Sequence, residues 1–310
     1  MVLGMADYAV NANSLYMKYG DKAALNDFSL TVRQGDIHAL VGPSESGKTT
    51  FLNILAGAIR PTNGTGKIFN KNIGSLEAKK IIGYIPAEPV FYSSMTLADY
   101  LVYMGMLSGM SQLEAISRAI VLLKKVELNS FRDKKPRDLT PGMKTKVAIA
   151  QGLMSKPLLL LLDEPVSGLD LTGKMGILQI IKELSLNEGL TVIISSDLWT
   201  DVQGIADKIT LLNQGGVLVS GETSKIRNLY DHDVFFLDTS DNSMLLAVLK
   251  RMGYLRQIIR TEKDSIIVVT KEIERFRKDL PGIIYKLEIQ LFIFRHENMT
   301  LESISRYLLA

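Results

Sequence analysis

The sequence of 310 residues contains no cysteine. Without cysteine, neither a disulfide framework nor a thiolate metal site can form. The absence also fits a reducing compartment, where disulfides are rare. We therefore expect the protein to reside in the cytoplasm.

Long hydrophobic runs are missing too. The five leucines at 158–162 are typical of the longest runs, and they fall far short of the roughly 18 residues that a membrane-spanning helix needs. The first ten residues, MVLGMADYAV, lack the charged region, apolar core and small-residue cleavage site of a secretory signal. We expect a chain that is not exported and does not cross a bilayer by itself.

The chain also has little excess of positive over negative charge. The chain carries 36 Lys and Arg against 33 Asp and Glu, a net charge of +3, and its basic residues are dispersed. Nucleic-acid-binding domains concentrate basic residues in a patch or tract, so we expect no nucleic-acid partner. Hydrophobic residues make up 46% of the chain and charged residues 22%, which is the composition of a folded globular protein.

Hydrophobic periodicity divides the chain into four parts. Strand-like stretches and a helix at 48–56 open the sequence, and a helical insertion with apolar residues at helical spacing follows at about 93–155. The short apolar runs LLLLLD, VIISS and KITLLN then alternate with helix-length segments, which is typical of a parallel sheet with crossover helices. We predict one domain over residues 1–222 and a small α/β domain over residues 223–310.

The strongest motif is GPSESGKTT at 42–50, which satisfies G-x-x-x-x-G-K-[ST] between the strand IHALV and a helix start. Backbone N–H groups of such a loop, together with the positive end of the following helix, hold a β-phosphate. The lysine adds a charge near the β- and γ-phosphates, and the threonine hydroxyl after it is a ligand for Mg²⁺. The alternative is a glycine-containing turn after a strand. The predicted ATP-binding residues here are Gly42, Pro43, Ser44, Glu45, Ser46, Gly47, Lys48, Thr49 and Thr50.

A second motif, LLLLLDEP, ends a buried strand with two carboxylates. Asp163 at the strand end can bind Mg²⁺, and Glu164 beyond it can polarise an attacking water, with Lys48 as the other catalytic residue. Two acidic residues in a turn before Pro165 are the alternative interpretation. In the catalytic interpretation, the two carboxylates and the phosphate loop together predict an α/β P-loop NTPase with a mostly parallel sheet and an N-terminal antiparallel β subdomain.

These motifs, with LTPGMKTKVAIAQGL before the buried strand and SGLD after it, resemble the nucleotide-binding subunit of an ABC transporter over residues 8–222. The resemblance implies ATP and Mg²⁺ as cofactors. It also implies two such subunits closing head to tail around two ATP molecules, with the signature loop of one chain completing the site of the other. The implied signature loop is Leu139, Thr140, Pro141, Gly142 and Met143, and the implied interface loop is Ser167, Gly168, Leu169 and Asp170.

Two further features follow from the resemblance. Tyr19 in the KYG triplet matches the aromatic residue that stacks on adenine, and a partly buried tyrosine at a strand end is the alternative. The last 80 or so residues, including the closing MTLESISRYLL, are similar to the accessory domain on ATPases of two-gene exporters for drugs, antibiotics or lipids. The resemblance therefore implies a location at the inner face of the cell membrane, beside a separate multi-span permease.

Several residues depart from the family pattern. Ala87 stands where the family has a glutamine that reaches the metal, and a methyl group cannot coordinate a cation. Pro141 replaces a glycine whose N–H helps to bind the γ-phosphate, and proline has no N–H. Met143 replaces the usual glutamine, and Glu45 replaces a glycine, which places an anion beside phosphate unless its side chain points outward.

The departure with the largest expected effect is Asp197, which follows the strand VIISS where the family has a histidine. That histidine donates a hydrogen bond to the γ-phosphate, whereas an ionised carboxylate cannot donate. Two like charges about 4 Å apart repel by roughly 1 to 4 kcal/mol at surface-like dielectrics. Asp197 therefore turns away, is protonated or weakens the ATP-bound state. Its structural alternative is N-capping of the helix LWTDV, a role in which aspartate is favoured.

Together these residues predict the ATP-binding subunit of an ABC exporter that hydrolyses ATP slowly and retains ATP binding better than turnover, as a homodimer or paired with a related ATPase subunit. Loss of one positioned transition-state group costs on the order of a hundred- to a thousandfold in rate. Two alternatives belong to other classes: an ATP-gated regulatory protein with little hydrolysis, and a soluble ABC ATPase acting on ribosomes or DNA. The single cassette and the dispersed basic residues argue against the latter.

Overall fold

The computed structural model describes residues 8–230, 233–260 and 265–298. The chain divides into two compact units, Met1–Thr223 and Ser224–Ala310. The closing segment LESISRYLL at 301–309, on which part of the resemblance to an accessory domain depends, lies outside the described residues.

An antiparallel sheet opens the first unit. Its strand order is β2-β1-β4-β5, and in β2 polar and buried residues alternate from Phe28 onward, which is the pattern of a sheet with one face on the core. This sheet confirms the predicted N-terminal antiparallel subdomain. Its strands are β1 (Tyr8–Tyr19), β2 (Lys22–Arg33), β4 (Asn63–Ile68) and β5 (Lys71–Asn72).

A six-stranded sheet forms the centre of the first unit, in the order β10-β9-β3-β8-β7-β6. All neighbouring pairs are parallel except β10 with β9, which confirms the mostly parallel sheet. Strands β3, β7 and β8 are buried at every residue, as expected for a parallel sheet covered on both faces. The strands are β3 (Ile37–Val41), β6 (Ile82–Ile85), β7 (Leu159–Leu162), β8 (Thr191–Ser196), β9 (Lys208–Asn213) and β10 (Gly216–Glu222).

The strand order of this sheet determines which residues meet to form a site. Strand β8 lies between β3 and β7, and all three run in the same direction. The residues that follow their carboxyl ends therefore meet at one edge, which is where open α/β sheets bind ligands.

Helices connect these strands, and most begin with a side-chain cap. The segment predicted as a helical insertion holds three of them, and Ser111 and Glu114 form a capping box at the second. The helices are α1 (Lys48–Leu55), α2 (Leu76–Lys79), α3 (Leu97–Leu107), α4 (Gln112–Lys125), α5 (Pro141–Leu153), α6 (Leu171–Glu188) and α7 (Trp199–Val202), with 3₁₀ turns at Asn129–Phe131 and Pro136–Asp138. Helix α8 (Thr223–Tyr230) follows β10 and begins at the last residue of the first unit.

The core of the first unit joins both sheets to α1. Phe28 and Phe51 pack against each other with their rings tilted by 46° and their centroids 4.6 Å apart. Leu161 of β7 belongs to the same cluster and is fully buried.

Truncating Leu161 to alanine is expected to destabilise the first unit by about 2–5 kcal/mol, because it removes buried methyl groups and leaves a cavity. Trp199, the only tryptophan, lies in this unit and is 5% exposed, so its fluorescence during denaturation reports the unfolding of this unit. Leu186→Ala makes the same chemical change at a site that is 73% exposed and should shift the unfolding free energy by less than about 0.5 kcal/mol. Equal losses in both variants would contradict the assignment of Leu161 to the core.

Within the described residues, no helix combines the length and the hydropathy that crossing a bilayer requires.

The second unit is a four-stranded antiparallel sheet, in the order β12-β13-β11-β14, packed with two helices. Phe235 and Phe276 meet in its core with centroids 4.8 Å apart. An apolar cavity of about 730 Å³ lies beside Leu280, Tyr285 and Phe294. The elements are β11 (Asp233–Thr239), α9 (Asn242–Leu249), β12 (Leu255–Arg260), β13 (Ile266–Thr270), α10 (Ile273–Leu287) and β14 (Leu291–Asn298).

Candidate nucleotide-binding site

The phosphate loop connects β3 to α1 and is packed tightly against neighbouring backbone. A Cβ on Gly42 would lie 2.3 Å from the Leu212 carbonyl oxygen, and one on Gly47 would lie 2.5 Å from that of Ala24. Gly47 also has a φ of +106°, which side chains rarely adopt. Both glycines are therefore needed for the loop to reach the start of α1 at Lys48, where a helix N-terminus favours anions.

Lys48 lies at the centre of the site and its side chain is only 3% exposed. Its ammonium Nζ donates hydrogen bonds to the Gly42 carbonyl at 2.8 Å and to the Pro43 carbonyl at 3.0 Å. It also lies 2.6 Å from Asp197 Oδ1 and 3.5 Å from Glu164 Oε1. One buried cation thus joins the phosphate loop to the residues that follow β7 and β8.

Asp197 faces this cation. Its second oxygen, Oδ2, accepts a hydrogen bond of 3.0 Å from the Ser44 hydroxyl. The N-capping alternative is wrong: α7 begins at Trp199, two residues after Asp197, its N-cap is Leu198, and no side chain caps it. Ser196 takes the local hydrogen bonds instead, accepting from the Leu198 N–H at 3.1 Å. In this structure Asp197 therefore does not turn away from the site.

The pKa values of the two carboxyls beside Lys48 move in opposite directions. Burial raises the pKa of Glu164, and the neighbouring charge of Asp197 raises it further. Burial opposes ionisation of Asp197 too, but the hydrogen bond and the charge of Lys48 outweigh it and lower the pKa of Asp197. The lowered pKa of Asp197 favours its ionised form, so the contacts of this structure do not support the alternative of a protonated carboxyl. A raised pKa strengthens Glu164 as a base.

Asp163 and Glu164 follow β7, and Ser195 of β8 positions both. The Ser195 hydroxyl donates to Asp163 Oδ1 at 2.7 Å and accepts from the Glu164 N–H at 2.8 Å. Asp163 is 1% exposed. Sequence reasoning missed Ser195, although a serine inside an otherwise apolar buried strand was the signal for a polar role.

The charge of Glu45 is balanced by Lys22. The two side chains form an ion pair, and this hydrogen bond lowers the pKa of Glu45. Glu45 has a φ of +66°, a conformation that favours glycine. Lys22, which sequence reasoning also missed, therefore supplies the counterion for an acidic residue beside the loop.

A cavity of about 300 Å³ lies over the loop, and Tyr19 stands at its side. Tyr19 ends β1 and is 51% exposed, so it is a half-buried tyrosine at a strand end that also lines the cavity. The cavity is lined by Tyr19, Lys22, Ala24, Ser44, Glu45, Gly47, Lys48, Thr49, Thr50 and Glu164.

The oxygen groups here fit Mg²⁺. Among the described residues, no three side chains of His, Cys, Asp or Glu converge as a metal cage. Mg²⁺ does not require one, since it keeps several waters and binds one or two carboxylates together with substrate phosphates. The hydroxyl of Thr49 beside the cavity and the buried carboxylate of Asp163 are hard oxygen ligands of this kind.

The predicted signature and interface loops lie outside this cavity, since none of their residues is among its lining. Thr140 caps α5, its hydroxyl accepting from the Met143 N–H at 3.3 Å, and Pro141 takes the first helical position. Proline is favoured there because that N–H has no partner within a helix. Asp170 caps α6 through the Gly173 N–H at 3.0 Å.

Ala87 is exposed in the loop after β6. Of the three histidines, His38 is buried in β3, with Nε2 2.8 Å from the Thr210 hydroxyl. Burial, and then the charge of Lys208, lowers the pKa of His38 to about 3, so its ring is neutral. His296 belongs to the second unit, and His232 lies outside the described residues.

Comparison with known proteins adds independent evidence. The family model described as ABC transporter matches residues 25–167. YxlF of Bacillus subtilis, an ABC transporter ATP-binding protein, is 31% identical over 277 residues, which cover 89% of this chain and 92% of that protein. The lantibiotic transport ATP-binding protein SrtF of Streptococcus pyogenes is 32% identical, covering 72% of this chain and 96% of SrtF.

Solved structures agree on the fold. The dimeric cassette MJ0796, described as a bacterial ABC transporter cassette, superposes with a TM-score of 0.63 at 28% identity, covering 69% of this chain and 98% of the cassette. A second structure of MJ0796 is a dimer in a post-hydrolysis state, bound to ADP and Pi, with the same TM-score of 0.63. The matched region of this chain carries the loop, the two carboxylates and the capped helix α5 described above.

Proposed function

This chain belongs to the ABC transporter family of ATP-binding proteins, and from that premise we propose that it is the ATPase subunit of an exporter. In this proposal it sits at the inner face of the cell membrane, beside a separate permease, and hydrolyses ATP slowly. The observation that carries the proposal is the meeting of Lys48, Asp163 and Glu164 at one edge of a parallel sheet, beneath a cavity of about 300 Å³.

The residues of this edge divide the work of ATP hydrolysis. The amides of the loop and Lys48 hold the phosphates, and Glu164 orients a water and takes its proton. Thr49 and Asp163 would hold Mg²⁺, which, when bound, neutralises charge that develops on the phosphates. Tyr19 offers its exposed ring to the adenine.

We assign residues 1–222 to the nucleotide-binding domain and residues 223–310 to an accessory domain. The signature residues 139–143 and the loop 167–170 lie away from the cavity of their own chain, which supports their use in the site of a second ATPase subunit. That subunit is either a second copy of this chain or a related ATPase. Because MJ0796 is described as dimeric, a dimer of this kind is a sound model.

Exposed apolar side chains on the helical insertion support a permease partner. Leu113 is 79% exposed, Leu107 64% and Val121 51%. Exposed apolar patches of this kind mark interaction sites. The names of two relatives, a lantibiotic transport protein and a bacitracin transport protein of Enterococcus faecalis, support export.

Slow turnover follows from three side chains. Ala87 offers no metal ligand, Pro141 offers no N–H, and Asp197 offers a negative charge where the family donates a hydrogen bond. An ATP-gated regulator with little hydrolysis remains the second candidate, since the contact of Asp197 with Lys48 favours an idle site. We propose no nucleic-acid partner.

Calorimetry on the purified chain tests nucleotide binding, and co-purification from membranes tests the partner. Heat from added ATP and recovery of a multi-span protein are expected. No heat from adenine nucleotide, with or without Mg²⁺, would overturn the proposed function. Recovery of ribosomes or DNA instead of a membrane protein would overturn the transporter assignment alone.

Replacing Tyr19 with alanine is expected to weaken ATP binding by about 1–3 kcal/mol, because stacking of a base on an aromatic ring contributes about that much. Tyr19→Phe keeps the ring and should bind ATP within about threefold of the wild type. Calorimetric titration measures both. Equal affinity in the alanine variant and the wild type would remove Tyr19 from the site.

A further inference from the structure

The contact between Asp197 and Lys48 joins residues 149 positions apart. It exists because β8 lies beside β3 in the same direction, so the residue after Ser196 arrives next to the loop after Val41. Asp197 has two oxygens, and both are bound within the loop: Oδ1 to the Lys48 ammonium at 2.6 Å and Oδ2 to the Ser44 hydroxyl at 3.0 Å. A carboxylate held by an ammonium and a hydroxyl uses the same donors that a phosphate oxygen would use.

The position of this carboxylate identifies which phosphate it resembles. Glu164 acts on the terminal phosphate of a triphosphate, so that phosphate lies between Glu164 and Lys48. In the structure both carboxylates face the same cation, since Lys48 Nζ lies 3.5 Å from Glu164 Oε1 and 2.6 Å from Asp197 Oδ1. The amides near Gly47 and the start of α1, which hold the preceding phosphate, have no contact with Asp197 among the hydrogen bonds of the described residues.

We propose that Asp197 is a specificity-determining residue that occupies the place of the terminal phosphate on Lys48 and Ser44, so that the site favours a nucleoside diphosphate over a triphosphate. A diphosphate fills the amide cradle and leaves Asp197 on its partners. A triphosphate has to displace Asp197 from Lys48 and then lies beside a second anion. This inference rests on the proposed function and adds the nucleotide preference of the same site.

The solvent exposure of Asp197 limits how strongly the site prefers a diphosphate over a triphosphate. The side chain of Asp197 is 39% exposed, so solvent screens part of its charge. At the dielectric of a protein surface, one additional anion about 4 Å from the terminal phosphate changes the equilibrium constant for triphosphate binding by about tenfold or more. The expected preference is therefore on the order of tenfold.

The test compares ATP and ADP affinities of the full chain by calorimetry in the presence of EDTA, which prevents turnover. Asp197→Asn keeps the size of the side chain and removes the charge. We expect the ratio Kd(ATP)/Kd(ADP) to fall about tenfold in this variant.

Asp201→Asn is the matched control, because Asp201 is a carboxylate four residues further on that pairs with Lys174 at 2.8 Å. Its ratio should stay within twofold of the wild type. If Asp197→Asn does not fold, as judged by circular dichroism, Asp197→Ser provides the same comparison. A ratio unchanged within twofold in the Asp197 variants overturns this inference alone, whereas no binding of either nucleotide by the wild type overturns the proposed function as well.

Discussion

Asp197→His is expected to raise the rate of ATP hydrolysis on the order of a hundredfold. The substitution removes an anion that is bound to Lys48 at 2.6 Å and places an N–H donor at the carboxyl end of β8. A single positioned donor of this kind is worth about a hundred- to a thousandfold in rate. The gain is set at the lower end because Ala87 and Pro141 remain. Steady-state phosphate release by the purified chain with MgATP measures it.

Asp197→Ala separates the two parts of that effect. Alanine removes the anion without supplying a donor, so this variant should bind ATP more tightly while its rate rises far less than that of the histidine variant. Two results would contradict the prediction: a wild type that already hydrolyses ATP at ordinary transporter rates, or a histidine variant with an unchanged rate.

Glu164→Gln, made in the Asp197→His background, is expected to lower the rate by about a hundred- to ten-thousandfold, the usual contribution of a general base. The background matters because it provides a rate high enough for a loss to be measured. Glutamine keeps the shape of the side chain, and the contact with Lys48 is long at 3.5 Å, so ATP affinity should change by only a few-fold. Phosphate release and calorimetry on the same preparation give both numbers.

A matched control is Glu183→Gln on the exposed face of α6, where Glu183 accepts a hydrogen bond of 2.7 Å from Gln179. This variant should retain the rate of its parent. If Glu164→Gln hydrolyses ATP as fast as the control, another residue is the base.

The parts of the site that sequence could predict are those encoded by adjacent residues. Gly42, Gly47 and Lys48 lie within one short loop whose spacing is itself the signal, and the structure places all three around the same space. The continuous apolar run before Asp163 likewise predicts a buried strand, and this strand is β7 of the sheet.

The contacts that sequence could not predict depend on which strands are neighbours. Nothing near Asp197 in the sequence indicates that Lys48 is its partner, since that pairing requires β8 to lie beside β3. Local reasoning favoured a helix cap, but Ser196 already bonds the Leu198 N–H. The role of Ser195 depends in the same way on β7 as its neighbour.

Strand β8 is buried along its whole length, Thr191–Ser196, whereas the residue that follows it is partly exposed. Substitutions in the strand are therefore expected to destabilise the fold more than substitutions at position 197. Replacement of that one residue can change the rate of ATP hydrolysis while the fold stays the same. Descendants of one gene could thus diverge into fast and slow partners through a single amino-acid replacement.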